Sequence, residues 1–454
     1  MSMKKLFDVD KHNLLFHNKA LFALLIPIVV EQLLNSFMGM VDTMMVSNLG
    51  SQAISGVSLV DSVNNLIVQL FSAMATGAAI ICSHYIGMRN KDGANKAARQ
   101  VVLTVMVISL AITILGLIFR RPLLTLIFGH VEQEVMDNAV DYFLFTALSY
   151  PFLALFSAGS AIFRSCGNSR YPMIVSVISN VFNIGGNALL MFVFKLGVSG
   201  AAISTLVSRV FCMVVIFIAL SKPKLDIVVK DYAAIRPDFG LIKSILAIGV
   251  PSGIENSMFQ FGKLAIQSTV STLGTAAIAA QAMTNILENV NGIFGIGVGM
   301  CLMTVVGQTL GAGRKEEAKY YIVKLAGIAE LGIIASCLLV YAFAGPITRL
   351  GGMETDSARM CIEMVGAITI VKPLVWVLSF VPAYGMRAAG DVKFSMITSI
   401  ITMWGCRVAL SIALIRIFGM GPIGVWYGMF ADWTIRGIIF TTRFFSERWV
   451  KKVI

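Results

Sequence analysis

Apolar runs of about twenty residues recur twelve times along this 454-residue chain, between charged or Gly/Pro-rich breaks. They lie near 20-45, 56-81, 100-119, 140-161, 171-194, 199-220, 245-270, 280-305, 323-343, 363-386, 394-417 and 422-443. Wound as a helix, a run of that length matches the roughly 30 Å hydrocarbon core of a bilayer. In lipid every backbone polar group must be satisfied internally, which leaves helices and closed barrels. The expected fold is therefore an all-α polytopic membrane protein of about 12 transmembrane helices. Charged residues make up only 13% of the chain, against about 25% in soluble domains, so little chain is left for an extramembrane domain.

The formal net charge of +12 raises the question of a nucleic-acid partner, and the placement of the charges answers it. With the N-terminus inside, the inward segments hold 25 of the 36 Lys and Arg residues, from Lys4 and Lys5 to Lys451 and Lys452. The outward segments hold six: Arg120, Arg121, Lys195, Arg349, Arg359 and Arg416. Positive-inside placement accounts for this bias. It puts both termini in the cytoplasm of a multi-pass inner (plasma) membrane protein, with lipid and no nucleic acid as partner. The opening MSMKKLFDVDKHNLLFHNK has no apolar core followed by a small-residue cleavage site, and is expected to be a retained cytoplasmic tail. The seven cysteines are scattered and show no CxxC spacing, so they read as buried thiols.

The chain also repeats itself. A shift of 224 residues places Pro27 on Pro251, Glu31 on Glu255, Leu49-Gly50 on Leu273-Gly274, and GMRNKDGANKA on GAGRKEEAKYY. Later, Pro151 meets Pro373, Arg164 meets Arg387, Gly167 meets Gly390 and Gly197 meets Gly421. Six spans per half is an even number, so the halves enter the membrane from the same side as parallel repeats. The expected organisation is an N-lobe at 1-220 (spans 1-6), a cytoplasmic linker at 221-243 and a C-lobe at 244-454 (spans 7-12), around a central cavity. Such lobes suit a transporter that alternates access, although some channels are duplicated as well.

Ionisable groups inside a bilayer are costly and mark ion or substrate pathways. Asp42, deep in the first span, has the placement of a carboxylate that alternates between protonated and ionised forms, or of one hydrogen-bonded to neighbouring helices. Asn180, Asn183 and Asn187 share one face of the fifth span and either coordinate a cation or hold helices together. Asn64 in span two and Glu288 in its repeat pose the same choice. Glu255 in span seven would attract a cation; Lys263, eight residues on, lies too far along the helix to pair with it directly. Met38 and Met258 are packing residues that can also line an adaptable cavity. Glu31, Met38, Asn64, Met258, Gln281 and Glu288 are the candidate cavity residues.

No GxxxxGK[ST] loop, HExxH pair or TVGYG filter is present, so nothing in the sequence points to nucleotide hydrolysis, zinc chemistry or potassium selectivity. The GIFGIGVGM stretch lies inside an apolar span and reads as a close helix-packing site, not a dinucleotide loop.

The residues that repeat are also those of a family. PIVVEQLLNSFMGMVDTMMVSNLGSQAISGV, its copy PSGIENSMFQFGKLAIQSTVSTLGTAAIAAQA, FRSCGNSRYP with MRAAGDVKFS, and NIGGNALLMFVFKLGVSGAAIST follow one another as in the multidrug and toxic compound extrusion (MATE) transporters. The chain resembles that family over essentially its whole length. The resemblance implies a monomeric antiporter, not an enzyme, that exports amphipathic, often cationic, compounds in exchange for inward-moving H+ or Na+, with no cofactor. It implies a cation site at Asp42, Asn183, Asn187 and Thr205, with Na+ at Asp42 as one occupant. Asn187 stands where the family carries an acid, which leaves Asp42 as that site's only acid. Some relatives use an acid in span seven, matched by Glu255. Two other readings stand beside this one: a flippase for lipid-linked sugars, kept alive by Arg209, Lys263, Lys372 and Arg407, and an intramembrane enzyme.

Overall fold

The structure is a computed structural model that describes residues 9, 13–129, 132–222, 226–230 and 235–450. Several basic residues counted above (Lys4, Lys5, Lys11, Lys224, Lys451 and Lys452) lie outside the described residues. The described residues form helices and connecting turns, with no strand among them. In chain order the helices are α1 (Asn18–Ser47), α2 (Ser51–Gly87), α3 (Lys91–Ile118), α4 (Arg120–Phe128), α5 (Gln133–Leu148), α6 (Tyr150–Ser165), α7 (Arg170–Asn187) and α8 (Gly197–Leu220). They continue with α9 (Phe239–Val270), α10 (Thr275–Gly311), α11 (Lys315–Leu350), α12 (Thr355–Ala388), α13 (Val392–Thr402), α14 (Ser411–Arg416) and α15 (Ile423–Phe445). A π-helical turn, Ala188–Val193, extends α7, and a second, Met403–Leu410, joins α13 to α14.

Among the described residues nine helical segments are long and apolar enough to cross a membrane, and α5 with α6 forms a tenth span bent by 43°. The bend has a local cause: Pro151 sits in the first turn of α6, where it supplies no N–H to continue the preceding helix. α9 and α15, of 32 and 23 residues, are also long enough to cross and would bring the number of spans to twelve. Their buried charges, Glu255 on α9 and Asp432 and Arg436 on α15, lower the mean hydropathy of otherwise apolar helices. Large apolar side chains are exposed on the outer surface, among them Val107, Ile114 and Ile118 of α3. Such a surface belongs in hydrocarbon and not in water.

The chain divides into two compact units, Lys19–Gly253 and Ile254–Ile454 with Met1–Asn18. In the first, Val46, Ala53, Val57, Met191, Val198 and Ala201 form a buried cluster that ties the α1–α2 turn to the π-helical turn and α8. The start of α9 packs on α2, where a Cβ at Gly77 would stand 2.9 Å from the Ile245 carbonyl. In the second unit the N-terminal segment docks on α11: the Phe16 N–H donates to the Tyr321 hydroxyl (2.7 Å), and Lys324 Nζ donates to Asn18 Oδ1 (2.5 Å).

The internal repeat is visible in the turns. Gly50 and Gly274 precede α2 and α10 with φ of 110° and 96°, a region closed to residues with a Cβ. Each therefore sets the same break between the first two spans of its unit. Within the second unit, α10 and α12 approach closely because a Cβ at Gly295 would enter the Trp376 ring and one at Gly299 the Tyr384 ring. The GIFGIGVGM stretch is a packing site, as its sequence context implied.

Candidate functional site

Asp42, Asn183, Asn187 and Thr205 come from three helices and meet in the first unit. Asn187 Nδ2 donates to Asp42 Oδ1 (2.7 Å) and lies 3.3 Å from Asn183 Oδ1. Asn183 Nδ2 donates in turn to Thr205 Oγ1 (3.3 Å), and the Ser204 hydroxyl donates to the Asn183 carbonyl (3.0 Å). The four-residue spacing puts both Asn side chains on one face of α7, and the helix widens into its π-helical turn immediately after Asn187. Asn187 Oδ1 is buried without a hydrogen-bond partner. A half-buried carboxylate beside an unpartnered amide oxygen is an oxygen-rich set of the kind hard cations take. Asn180, one turn earlier on α7, leaves its Nδ2 unpartnered.

A second network adjoins it. Asn64 Nδ2 (3.3 Å) and the Tyr142 hydroxyl (3.4 Å) donate to Asp61 Oδ1, and the Tyr150 hydroxyl donates to Asn64 Oδ1 (2.7 Å). Arg209 on α8 donates to the Ser149 hydroxyl at 2.6 Å and lies within electrostatic reach of both Asp42 and Asp61.

Glu31 and Glu255, matched by the repeat, are each held by a matched arginine. Arg164 Nη2 donates to both Glu31 oxygens (2.8 and 2.7 Å), and Arg387 Nη2 donates to Glu255 Oε1 (2.6 Å). Both carboxylates are buried. Each pair ties the first span of its unit to the end of the fourth, so Glu255 belongs to an ion pair as well as facing a cavity.

That cavity lies within the second unit and has a volume of about 520 Å³. Among its lining residues are Glu255, Lys263, Gln281, Glu288, Arg387, Arg407 and Arg436. Lys372 pairs with Glu288 at 2.6 Å, and Asp432 receives both Arg407 (2.7 Å) and Arg436 (2.8 Å). Gln281 accepts from Trp426 Nε1 at 3.2 Å.

The sequence-derived candidates thus fall into three places. Asp42, Asn183, Asn187 and Thr205 form one cluster. Glu255, Gln281 and Glu288 line the second unit's cavity. Glu31 and Asn64 are buried in the ion pair and the tyrosine network of the first unit, while Met38 and Met258 are half-buried. The sequence marks Lys372 and Arg407 as intramembrane charges that would suit a flippase, and singles out neither Arg436, Asp61 nor Tyr142. For Asp61 the signal was present, a lone acid eleven residues into the helix after Gly50.

A model of the MatE family matches residues 27–189 and again 251–413, two segments offset by 224 residues at either end. The uncharacterised transporter YisQ of Bacillus subtilis is 28% identical over 439 residues, covering 95% of both chains. The probable multidrug resistance protein NorM of Thermotoga maritima is 24% identical over 454 residues, covering 96% of this chain and 94% of that one. The crystal structure of a MATE protein in complex with MaL6 superimposes with a TM-score of 0.89 at 20% identity, over 97% of this chain and 98% of that one.

Proposed function

Because this chain belongs to the MatE family of multidrug transporters, we propose that it is a secondary antiporter: it exports amphipathic small molecules in exchange for an inward-moving proton or sodium ion. It works by alternating access, as a monomer in the cell membrane with both termini in the cytoplasm. One observation carries the coupling role of the first unit: Asp42 accepts from Asn187 Nδ2, the Asn187 side-chain oxygen is buried and unpartnered, and Asn183 and Thr205 complete the set. Sodium would take the oxygens of Asp42, Asn183, Asn187 and Thr205. A proton would sit on Asp42 itself, which is the only carboxylate of the cluster.

The Asp42 charge is the part that responds to the ion, since neither amide nor hydroxyl titrates in the working range. Occupied or protonated, the cluster is neutralised and favours one state of the transporter. Emptied, it leaves a charge in a low-dielectric site and favours the other. The family match weighs against the lipid-linked-sugar flippase. The test is uptake of a mixed panel of cationic and anionic fluorescent amphipaths into everted membrane vesicles. Uptake should stop when either the sodium or the proton gradient is collapsed, and Asp42→Asn should abolish it at normal expression. An Asp42→Asn protein that transports like the original sinks the coupling assignment.

A further inference from the structure

The cavity of the second unit carries more positive than negative charge. Counting its lining residues and their ion-pair partners, five cations (Lys263, Lys372, Arg387, Arg407 and Arg436) stand against three carboxylates (Glu255, Glu288 and Asp432). Glu255 is taken by Arg387 and Glu288 by Lys372, while Asp432 is shared by two guanidinium groups. Lys263 makes no ion pair among the described residues, and Glu288, whose charge it feels, is already engaged. Charges inside a membrane protein are ordinarily compensated, because an unpaired one is costly to hold away from water. A surplus inside a cavity is compensated by what enters it.

The aromatic walls point the same way. A cationic drug is ordinarily held by the faces of aromatic rings. Here all five lining rings already have a protein cation over them. Arg407 lies 4.8 Å and Arg436 5.5 Å from the centroid of Phe259, and Arg436 lies 5.0 Å from that of Phe380. Arg387 covers Tyr384 at 5.3 Å, and Lys372 covers Trp376 at 5.5 Å and Trp433 at 6.0 Å. An entering cation would meet those charges before it met the rings. Two lining residues, moreover, hold a buried donor without a partner, Arg407 Nε and Trp433 Nε1, and both side chains are almost wholly buried. Among the lining residues one acceptor is left over, Glu255 Oε2.

We propose that the cavity of the second unit binds an amphipathic anion, an aromatic or otherwise flat apolar body bearing a carboxylate, sulfonate or phosphate, with Lys263, Arg407 and Arg436 receiving the oxyanion. The volume of about 520 Å³ suits a molecule of drug size. Glu255 Oε2 is placed to accept from a hydroxyl or amine on the same molecule. This names the substrate class for the exporter and rests on the antiport reading for its transport role, though not for binding. The coupling cation and the substrate anion then use different units.

The experiment uses the full-length protein in nanodiscs and two xanthene dyes of similar shape and opposite charge, carboxyfluorescein and rhodamine 123, followed by fluorescence anisotropy. Carboxyfluorescein should bind at least about tenfold more tightly than rhodamine 123, the effect of one additional charge-assisted contact. Lys263→Met should remove about that factor from carboxyfluorescein affinity alone, and Lys263→Arg should restore it. Equal or tighter binding of rhodamine 123 to the unaltered protein overturns the proposal without recourse to any variant, as does a folded Lys263→Met protein with unchanged anion affinity. The two readings fail separately in liposomes. Carboxyfluorescein that binds but is not moved by an imposed sodium or proton gradient overturns antiport and leaves the anion site standing. Gradient-driven movement of rhodamine 123 with no anion binding does the reverse.

Discussion

Glu31 is buried and the Arg164 side chain is only 11% exposed, so neither charge has much water to fall back on. Removing one partner strands the other, at a cost of about 3–5 kcal/mol, whereas replacing both with apolar side chains of similar volume is far milder. Arg164→Ala should therefore lower the thermal midpoint of the detergent-solubilised protein sharply, and Glu31→Leu combined with Arg164→Leu should recover much of the loss. A double variant as unstable as the single one would show that the arginine acts through other contacts. Arg387→Ala should behave in parallel at Glu255. The sequence repeat matches Glu31 with Glu255 at a shift of 224 and Arg164 with Arg387 at a shift of 223, yet not acid with base. Periodicity reports which face of a helix a residue is on, and a bond between helices far apart in sequence leaves no trace in it. Glu288 with Lys372 and Asp432 with its two arginines were hidden for the same reason. The Asp42 cluster was legible as a set only through the family resemblance, because spacing puts the Asn residues on one helix face but does not bring Asp42 or Thr205 to them.

Helices here run longer than the apolar stretches that announce them. The sequence places the second span near 56-81, and α2 occupies Ser51–Gly87; its ends continue as helix in polar sequence, where hydropathy carries no signal. The short α4 and the break between α5 and α6 also escaped a reading by apolar runs. The close approach of α10 to α12 sets where Trp376 and Tyr384 stand in the cavity wall. Gly295→Val would drive a side chain into Trp376, an overpacking worth about 1–3 kcal/mol. The thermal midpoint should fall and carboxyfluorescein binding should weaken with it; an unchanged midpoint would mean that the helices separate freely.

The start of α9 is held by Asp238, whose Oδ1 accepts from the Gly240 and Leu241 N–H groups while Oδ2 meets Lys96 at 2.6 Å. The hydrogen bond from Lys96, followed by that from Leu241, holds this carboxyl below its ordinary value of 3.8. A lowered folded pKa stabilises the cap above the unfolded value, and that stabilisation is lost as the pH falls through the folded one. Protection of the Gly240 and Leu241 amides from hydrogen exchange should therefore hold down to about pH 4 and fall below it. Asp238→Asn should remove this pH dependence. An unaltered fall with pH in that variant would place the titrating group elsewhere.

At the scale of the molecule, one six-span plan is used twice and filled with different chemistry. The turns at Gly50 and Gly274 and the ion pairs at Glu31 and Glu255 are common to both units. The Asp42 cluster belongs to the first, and the cation-rich cavity to the second. A duplicated scaffold with divergent interiors suits the exchange proposed above, with one unit sensing the ion and the other holding the substrate. Coupling between the two is the central claim, and reversal of the exchange tests it most directly. With the purified protein in liposomes at zero ion gradient, an imposed gradient of carboxyfluorescein should drive sodium ions or protons uphill in the opposite direction, and Asp42→Asn should abolish that movement. Dye that crosses through the protein while both ion distributions stay flat would contradict the account.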